Sequence, residues 1–180
     1  KNMNVFVITG SPHRHGCSNY LAEQAIDGAR AAGHTVDRVD AAFVDVHPCI
    51  GCNHCESGKN PCIYDDAMTD IYKKIEKADA LIYATPLYYH AASAQFLALI
   101  DRYHGIDDHI RGTGKKCILL VTGSNPDPSF MDGMRIWFQT DMRYLGWQAA
   151  GAVYAHGCTD AAHLEGTAFA KEAYRLGNTL

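Results

Sequence analysis

Four of the seven cysteines crowd into one short segment, at the spacing C-x2-C-x2-C-x6-C. The four residues are Cys49, Cys52, Cys55 and Cys62. Four thiolates this compact can wrap one [4Fe–4S] cluster, as a similar run does in bacterial ferredoxins. A zinc ion is the first alternative, although zinc sites usually separate two C-x2-C pairs by a longer spacer. Ordinary thiols are the second. An odd total with one tight group is untypical of a secreted disulfide framework.

A polar loop from Thr9 to Asn19 joins the first predicted strand to the first predicted helix. The N-terminus of a helix offers free backbone N–H groups and a partial positive charge, which attract phosphate. The loop has neither the Gly-Lys-Ser/Thr ending of a nucleotide P-loop nor a Gly-x-Gly-x-x-Gly fingerprint. A polar loop with a capping serine is therefore the alternative to a phosphate site. The candidate ligands are Ser11, His13, Gly16, Cys17, Ser18 and Asn19.

Two further turns follow predicted strands and carry side chains that suit a planar ligand. The first contains Pro86, Leu87, Tyr88, Tyr89 and His90, and the second contains Thr122, Gly123 and Ser124. Two adjacent tyrosines can flank an aromatic ring, because aromatic pairs attract each other beyond the effect of buried area. The alternatives are tyrosines that pack on a neighbouring helix or chain, and a plain turn after the second strand.

Hydrophobic periodicity places these loops within an alternation of strands and helices. The predicted strands are Val5–Ile8, His34–Asp40, Ala80–Ala84, Cys117–Val121 and Ala149–Tyr154, with Thr85-Pro86 ending the third. The predicted helices are Ser18–Ala32, one capped by Asp65 or Asp66 that ends near Lys77, Ala91–Tyr103, Phe130–Leu145 and Ala161–Leu176. This alternation predicts one α/β domain over residues 1–180, with a cysteine-rich insertion at about 45–65. Ligands of parallel sheets bind at the carboxyl ends of the strands, where all three turns lie.

Together, the three turns resemble those of the NAD(P)H-dependent FMN reductases, a branch of the flavodoxin-like superfamily. Gly10-Ser11-Pro12 followed by Ser18-Asn19 is similar to the phosphate loop of that family. The segments Pro86–Tyr89 and Thr122-Gly123 resemble its two loops beside the isoalloxazine ring. The resemblance implies a flavodoxin-like three-layer sandwich, with a five-stranded parallel sheet in the order 2-1-3-4-5 and helices on both faces. It also implies one FMN bound without a covalent bond, so the flavin carries the electrons and no catalytic side chain is expected.

The cysteine spacing resembles that of iron–sulfur flavoproteins, a subgroup of the same family, which makes the four cysteines implied cluster ligands. The activity implied is an FMN-dependent oxidoreductase. It would take hydride from NAD(P)H and pass electrons to a quinone, a nitro compound, a flavin or an iron–sulfur partner. One alternative is an electron-transfer module between protein partners, without nicotinamide chemistry. A second alternative is a flavin-free binding domain.

The composition argues against two classes of binding partner, nucleic acids and membranes. The formal net charge is −4 at pH 7 and no basic stripe is present, which argues against nucleic acid or an anionic membrane as a partner. No stretch approaches the ~20 apolar residues of a membrane span, and the first residues do not follow the signal-peptide pattern. We therefore expect a cytoplasmic protein. The resemblance implies a small-molecule or protein electron acceptor and a homodimer or homotetramer that covers the exposed flavin face.

Overall fold

The chain folds into a parallel β-sheet with helices on both faces. The structure is a computed structural model, which describes residues 2–57 and 62–180. The strands are β1 (Asn4–Thr9), β2 (Thr35–Asp40), β3 (Ala80–Tyr88), β4 (Ala91–Ala92), β5 (Lys116–Thr122) and β6 (Gln148–Ala155). The helices are α1 (Cys17–Ala31), α2 (Met68–Lys77), α3 (Ala94–Asp101), α4 (Asp107–Ile110), α5 (Asp132–Leu145) and α6 (Ala168–Asn178). Short 3₁₀ turns lie at Ala41–Phe43, His54–Ser57, Arg102–Gly105, Pro128–Met131 and Ala161–Leu164.

The strand order is β2-β1-β3-β5-β6, with every neighbouring pair parallel. This confirms the predicted flavodoxin-like fold class and strand order. The described residues hold a sixth strand, because the two-residue β4 pairs antiparallel with the end of β3 and lies off the main path.

Both faces of the sheet are buried, as the continuous apolar run of β1 predicts. Phe6 and Ile8 pack into a cluster with side chains of α2, α3 and α5. Val5 and Val7 point the other way, into a cluster with α1 and α6. The core therefore consists of two layers, one on each side of the sheet.

The prediction that Thr85-Pro86 ends the third strand was wrong. β3 continues to Tyr88, and Pro86 still pairs with Thr122 of β5. β1 ends opposite Ala84, so the rest of β3 has a parallel neighbour on one side only. A proline lacks an N–H donor and is tolerated where one side of a strand is open.

Three helix starts also differ from the prediction. The chain from Ala91 to Ala92 is strand β4, and α3 begins only after Ser93, whose side chain accepts a hydrogen bond from the Phe96 N–H. α5 and α6 each follow a 3₁₀ turn that the periodicity did not separate from the helix. Within the described ranges, none of the helices combines the length and apolar character that a membrane span needs.

Candidate functional site

A cleft of about 860 Å³ lies at the carboxyl edge of the sheet, between the loops that follow β1, β3, β5 and β6. We call it the edge cleft. Its lining residues are Ser11–Ser18, Pro86–Tyr88, Thr122–Ser124 and Cys158–Ala161. The three loops singled out in the sequence thus converge on one cavity, as the edge rule for parallel sheets predicts.

One end of the edge cleft is formed by the first turn of α1. Its N-cap, Gly16, has no side chain with which to cap the first turn. The Ser18 hydroxyl is buried and, among the described residues, has no hydrogen-bond partner. Buried polar groups are nearly always satisfied in native proteins, by protein, water or ligand. An anion at this helix N-terminus would accept hydrogen bonds from the hydroxyl and from the free N–H groups. The residues at this end therefore fit the phosphate of FMN.

Ser11 and Asn19 hold the shape of this loop. The Ser11 hydroxyl accepts a hydrogen bond from the His13 N–H at 3.1 Å. The Asn19 amide donates to the carbonyl oxygens of His13 and Arg14, at 2.8 and 3.2 Å. Asn19 is buried and does not line the edge cleft. Its amide is thus engaged with the loop itself, and ligand contact by Asn19 stays a prediction.

Gly10 is required by close packing of the loop on α3. A Cβ at this position would lie 2.5 Å from both the Phe96 Cβ and the Ser93 hydroxyl oxygen. The same hydroxyl donates to the Gly10 carbonyl oxygen at 2.6 Å. The loop after β1 is therefore fixed against the start of α3, and this couples it to the hairpin that precedes that helix.

Another part of the edge cleft is formed by the hairpin β3–β4. Pro86, Leu87 and Tyr88 line the cleft. Tyr89 and His90 form the hairpin turn, with positive φ angles of 49° and 66°, and they lie outside the lining. Tyr89 is fully exposed, and His90 stacks on Phe130 with ring centroids 5.1 Å apart. Of the two adjacent tyrosines, the structure brings only Tyr88 to the cleft.

The loop after β6 is a part of the site that sequence reasoning missed. Cys158, Thr159, Asp160 and Ala161 line the edge cleft, as do Pro12, Arg14 and His15 of the first loop. The Cys158 N–H donates to the Gly123 carbonyl oxygen at 2.8 Å, so this loop is tied to the Thr122–Ser124 turn. The rule that ligands bind at the carboxyl edge of a parallel sheet could have predicted this part of the site, because residues 158–161 lie just beyond the fifth predicted strand.

The cysteine segment lines a second cleft, of about 790 Å³, which we call the cysteine cleft. Cys49, Cys52, Cys55 and Cys62 all line it as free thiols. Burial raises the pKa of the Cys55 thiol, and the neighbouring Cys62 and Cys49 add to this shift. In residues 2–57 and 62–180, no three cysteine, histidine or acidic side chains stand close enough to hold a metal ion. Gly58–Pro61, which the sequence interpretation placed inside the cluster motif, lie outside the described residues. The donor set thus fits a cluster in type and number, but its thiols do not converge here.

A buried ion pair anchors the cysteine segment at both ends. Arg102 donates to Asp66 at 2.7 Å, and their side chains are 1% and 2% exposed. Arg102 also donates to the His47 carbonyl oxygen at 2.8 Å. Burial alone would raise the pKa of Asp66, but hydrogen bonds from Arg102 and two backbone N–H groups hold it below its ordinary value. The residues that flank the four cysteines are therefore fixed to α3's end by one charged network.

Comparison with known proteins identifies the family. The family model of the NADPH-dependent FMN reductases matches residues 3–133. The chain belongs to this family. Its matched part contains the loops after β1, β3 and β5 as well as the cysteine segment, whereas the loop after β6 lies beyond it.

Relatives within the family include iron–sulfur flavoproteins. One from Methanocaldococcus jannaschii is 38% identical over 101 residues, covering 56% of this chain and 51% of the relative. Another, from Methanosarcina thermophila, is 34% identical over 100 residues, covering 56% and 52%. The chain thus spans about half the length of the curated relatives it matches.

Solved structures share the fold over the whole chain. The NAD(P)H:quinone oxidoreductase from Methanothermobacter marburgensis superposes with a TM-score of 0.76 at 19% identity, covering 99% of this chain and 97% of that one. An NADH:FMN oxidoreductase in its apo form superposes with a TM-score of 0.72 at 17% identity, covering 99% and 88%. At such low identity, the likeness establishes the flavodoxin-like fold alone.

Proposed function

We propose that this chain binds FMN in the edge cleft and acts as an FMN-dependent oxidoreductase. The observation that carries the proposal is the buried Ser18 hydroxyl at the uncapped N-terminus of α1, which has no hydrogen-bond partner within residues 2–57 and 62–180. Membership of the FMN reductase family supports it independently. Bound FMN would supply the redox chemistry of the proposed reaction, the transfer of hydride and electrons.

The residues of the edge cleft divide into two groups by the part of FMN they suit. The first turn of α1 and the Ser18 hydroxyl would hold the phosphate, with the exposed His13 beside them. Pro86–Tyr88 and Thr122–Ser124 would line the ring, where Tyr88 offers an aromatic face. The chain's contribution is therefore to bind and orient the cofactor and to exclude water from one of its faces.

We propose NADH or NADPH as the electron donor, in keeping with the name of the family. The sequence has no separate nicotinamide-binding fingerprint, so the nicotinamide would enter the edge cleft beside the flavin. The acceptors we propose are a quinone, a nitro compound, free flavin or an iron–sulfur protein. We further propose a homodimer or homotetramer, which sedimentation at micromolar concentration would test; a monomer throughout would refute it.

The test is reconstitution with FMN followed by anaerobic reduction. We expect stoichiometric FMN binding, bleaching of the flavin absorbance by NADH or NADPH, and recovery of that absorbance on addition of a quinone. Retention of FMN without reduction by either nicotinamide would leave the electron-transfer module as the function. Failure to bind FMN would refute the proposal and favour the flavin-free domain.

We propose a second cofactor because of the cysteine cleft. Four free thiols on one cleft favour a [4Fe–4S] cluster on Cys49, Cys52, Cys55 and Cys62. Relatives that carry the name iron–sulfur flavoprotein support this proposal. Anaerobic purification with iron and sulfide analysis tests this. We expect about four irons per chain, a loss of iron in Cys52→Ser, and no loss in the matched control Cys117→Ser, whose thiol is buried in the core. Absence of iron from anaerobically assembled protein would refute the cluster.

A further inference from the structure

Two cysteines that are distant in sequence, Cys17 and Cys158, line the same edge cleft. Cys17 is the first residue of α1 and is half-buried, whereas Cys158 follows β6 and is 8% exposed. Both are free thiols, both line the cleft, and Cys17 packs against the buried side-chain cluster that contains Cys158. Neither belongs to the cysteine segment, and although Cys17 lies in the predicted phosphate loop, flavin binding does not require a second thiol beside it.

The backbone holds both thiols in place. Cys17 lies on α1, which packs against the sheet and α6. The Cys158 N–H donates to the Gly123 carbonyl oxygen, and the Gly157 N–H donates to that of Asn125, each at 2.8 Å. Little chain entropy therefore remains to be lost when the two sulfurs are joined. Cys117, which also lies outside the cysteine segment, is fully buried in β5 and serves as a matched control.

We propose that Cys17 and Cys158 form a redox-active dithiol, which a low-molecular-weight disulfide such as oxidised glutathione converts into an intramolecular disulfide. In the first step, the Cys17 sulfur attacks the small disulfide, whose S–S bond breaks and releases one thiol. In the second, the Cys158 sulfur attacks Cys17 in the mixed disulfide and releases the other thiol. Cys17 and Cys158 lose two electrons and two protons, and the two released thiols carry them.

The order of attack follows from exposure. Cys17 can reach a solute in the cleft, whereas the smaller exposed fraction of Cys158 favours the resolving role. Burial, together with the neighbouring Cys17, raises the pKa of Cys158 to about 12. A raised pKa lowers the thiolate fraction of Cys158 near neutral pH, which suits the resolving role rather than the first attack.

The site also matters for the cofactor end of the cleft. Cys17 precedes Ser18, so a bond to Cys158 ties the first turn of α1 to the loop after β6. Under the proposed function, that turn binds the phosphate. The dithiol itself does not depend on bound FMN, so its test is separate from that of the proposed function.

The test treats the full chain with oxidised glutathione, blocks remaining thiols with a maleimide, and maps peptides by mass spectrometry without reduction. We expect a cross-linked peptide that joins Cys17 to Cys158 in the natural chain and in Cys117→Ser. Cys158→Ser should retain glutathione on Cys17, while Cys17→Ser should leave Cys158 unmodified because that thiol is buried.

Two outcomes would overturn the proposal. One is the absence of a Cys17–Cys158 peptide when glutathione has reacted elsewhere on the chain. The other is glutathione on Cys158 in Cys17→Ser to the same extent as on Cys17 in Cys158→Ser. Circular dichroism of each variant checks folding, and the cross-link in the natural chain requires no variant.

Discussion

Ser18→Ala separates binding of the FMN phosphate from binding of the ring. The Ser18 hydroxyl is 1% exposed and has no partner among the described residues. A hydrogen bond to a charged group contributes about 1.5–3 kcal/mol. Since 1.4 kcal/mol is about tenfold in affinity, we expect the Kd of FMN to rise about 10- to 100-fold. Riboflavin lacks the phosphate, so its Kd should stay nearly unchanged. Quenching of flavin fluorescence on titration with the apoprotein measures both constants.

Ser18→Ala should weaken FMN binding but should not destabilise the apoprotein. Removing a buried hydroxyl that lacks a partner leaves its free energy of unfolding in urea unchanged or raises it by about 1 kcal/mol. Ser124→Ala is the matched control, because Ser124 is exposed and lines the cleft in the turn after β5 that we propose beside the ring. It should change the affinities for FMN and riboflavin alike. An equal loss for both flavins in Ser18→Ala, or no loss for FMN, would refute the phosphate assignment.

Three further predictions concern stability. In Gly177→Ala, the new Cβ would lie 1.9 Å from the Ala25 carbonyl oxygen. The free energy of unfolding in urea should therefore fall by about 1–3 kcal/mol. Burial raises the pKa of Asp141 from 3.8 to about 6. Native stability should therefore fall as pH rises from about 4 to about 6, and Asp141→Asn should remove this dependence and add about 2 kcal/mol at pH 7. Asp66→Ala leaves Arg102 buried without its carboxylate partner, at a cost of about 3–5 kcal/mol measured by the same unfolding.

The features that the sequence predicted are local patterns and one rule of topology. The buried run Val5–Ile8 is apolar at every position, which distinguishes a strand covered on both faces from an exposed one. The loops after β1, β3 and β5 converge because parallel strands end at a common edge. The strand order came from the resemblance to a family, since periodicity alone cannot order strands.

The errors arose where a neighbouring element decides the local structure. Thr85-Pro86 has the composition of a strand end, but β5 offers pairing partners as far as Thr122, so β3 continues. Tertiary pairing overrides local propensity in such cases. Cys17 and Cys158 are distant in sequence yet line one cleft, and no spacing pattern in a single sequence encodes this.

The extension of β3 explains how one tyrosine of the adjacent pair reaches the cleft. Residues with positive φ other than glycine cost about 1–3 kcal/mol each and persist only where the surroundings enforce them. Here the pairing of Leu87 with Ala92 and of Tyr88 with Ala91 closes the turn, and His90 stacks on Phe130. The turn residues Tyr89 and His90 therefore bear the strain, while Tyr88, on the paired part of the hairpin, faces the cleft. A strand that ended at Pro86 would leave Tyr88 without the backbone pairing that holds it there.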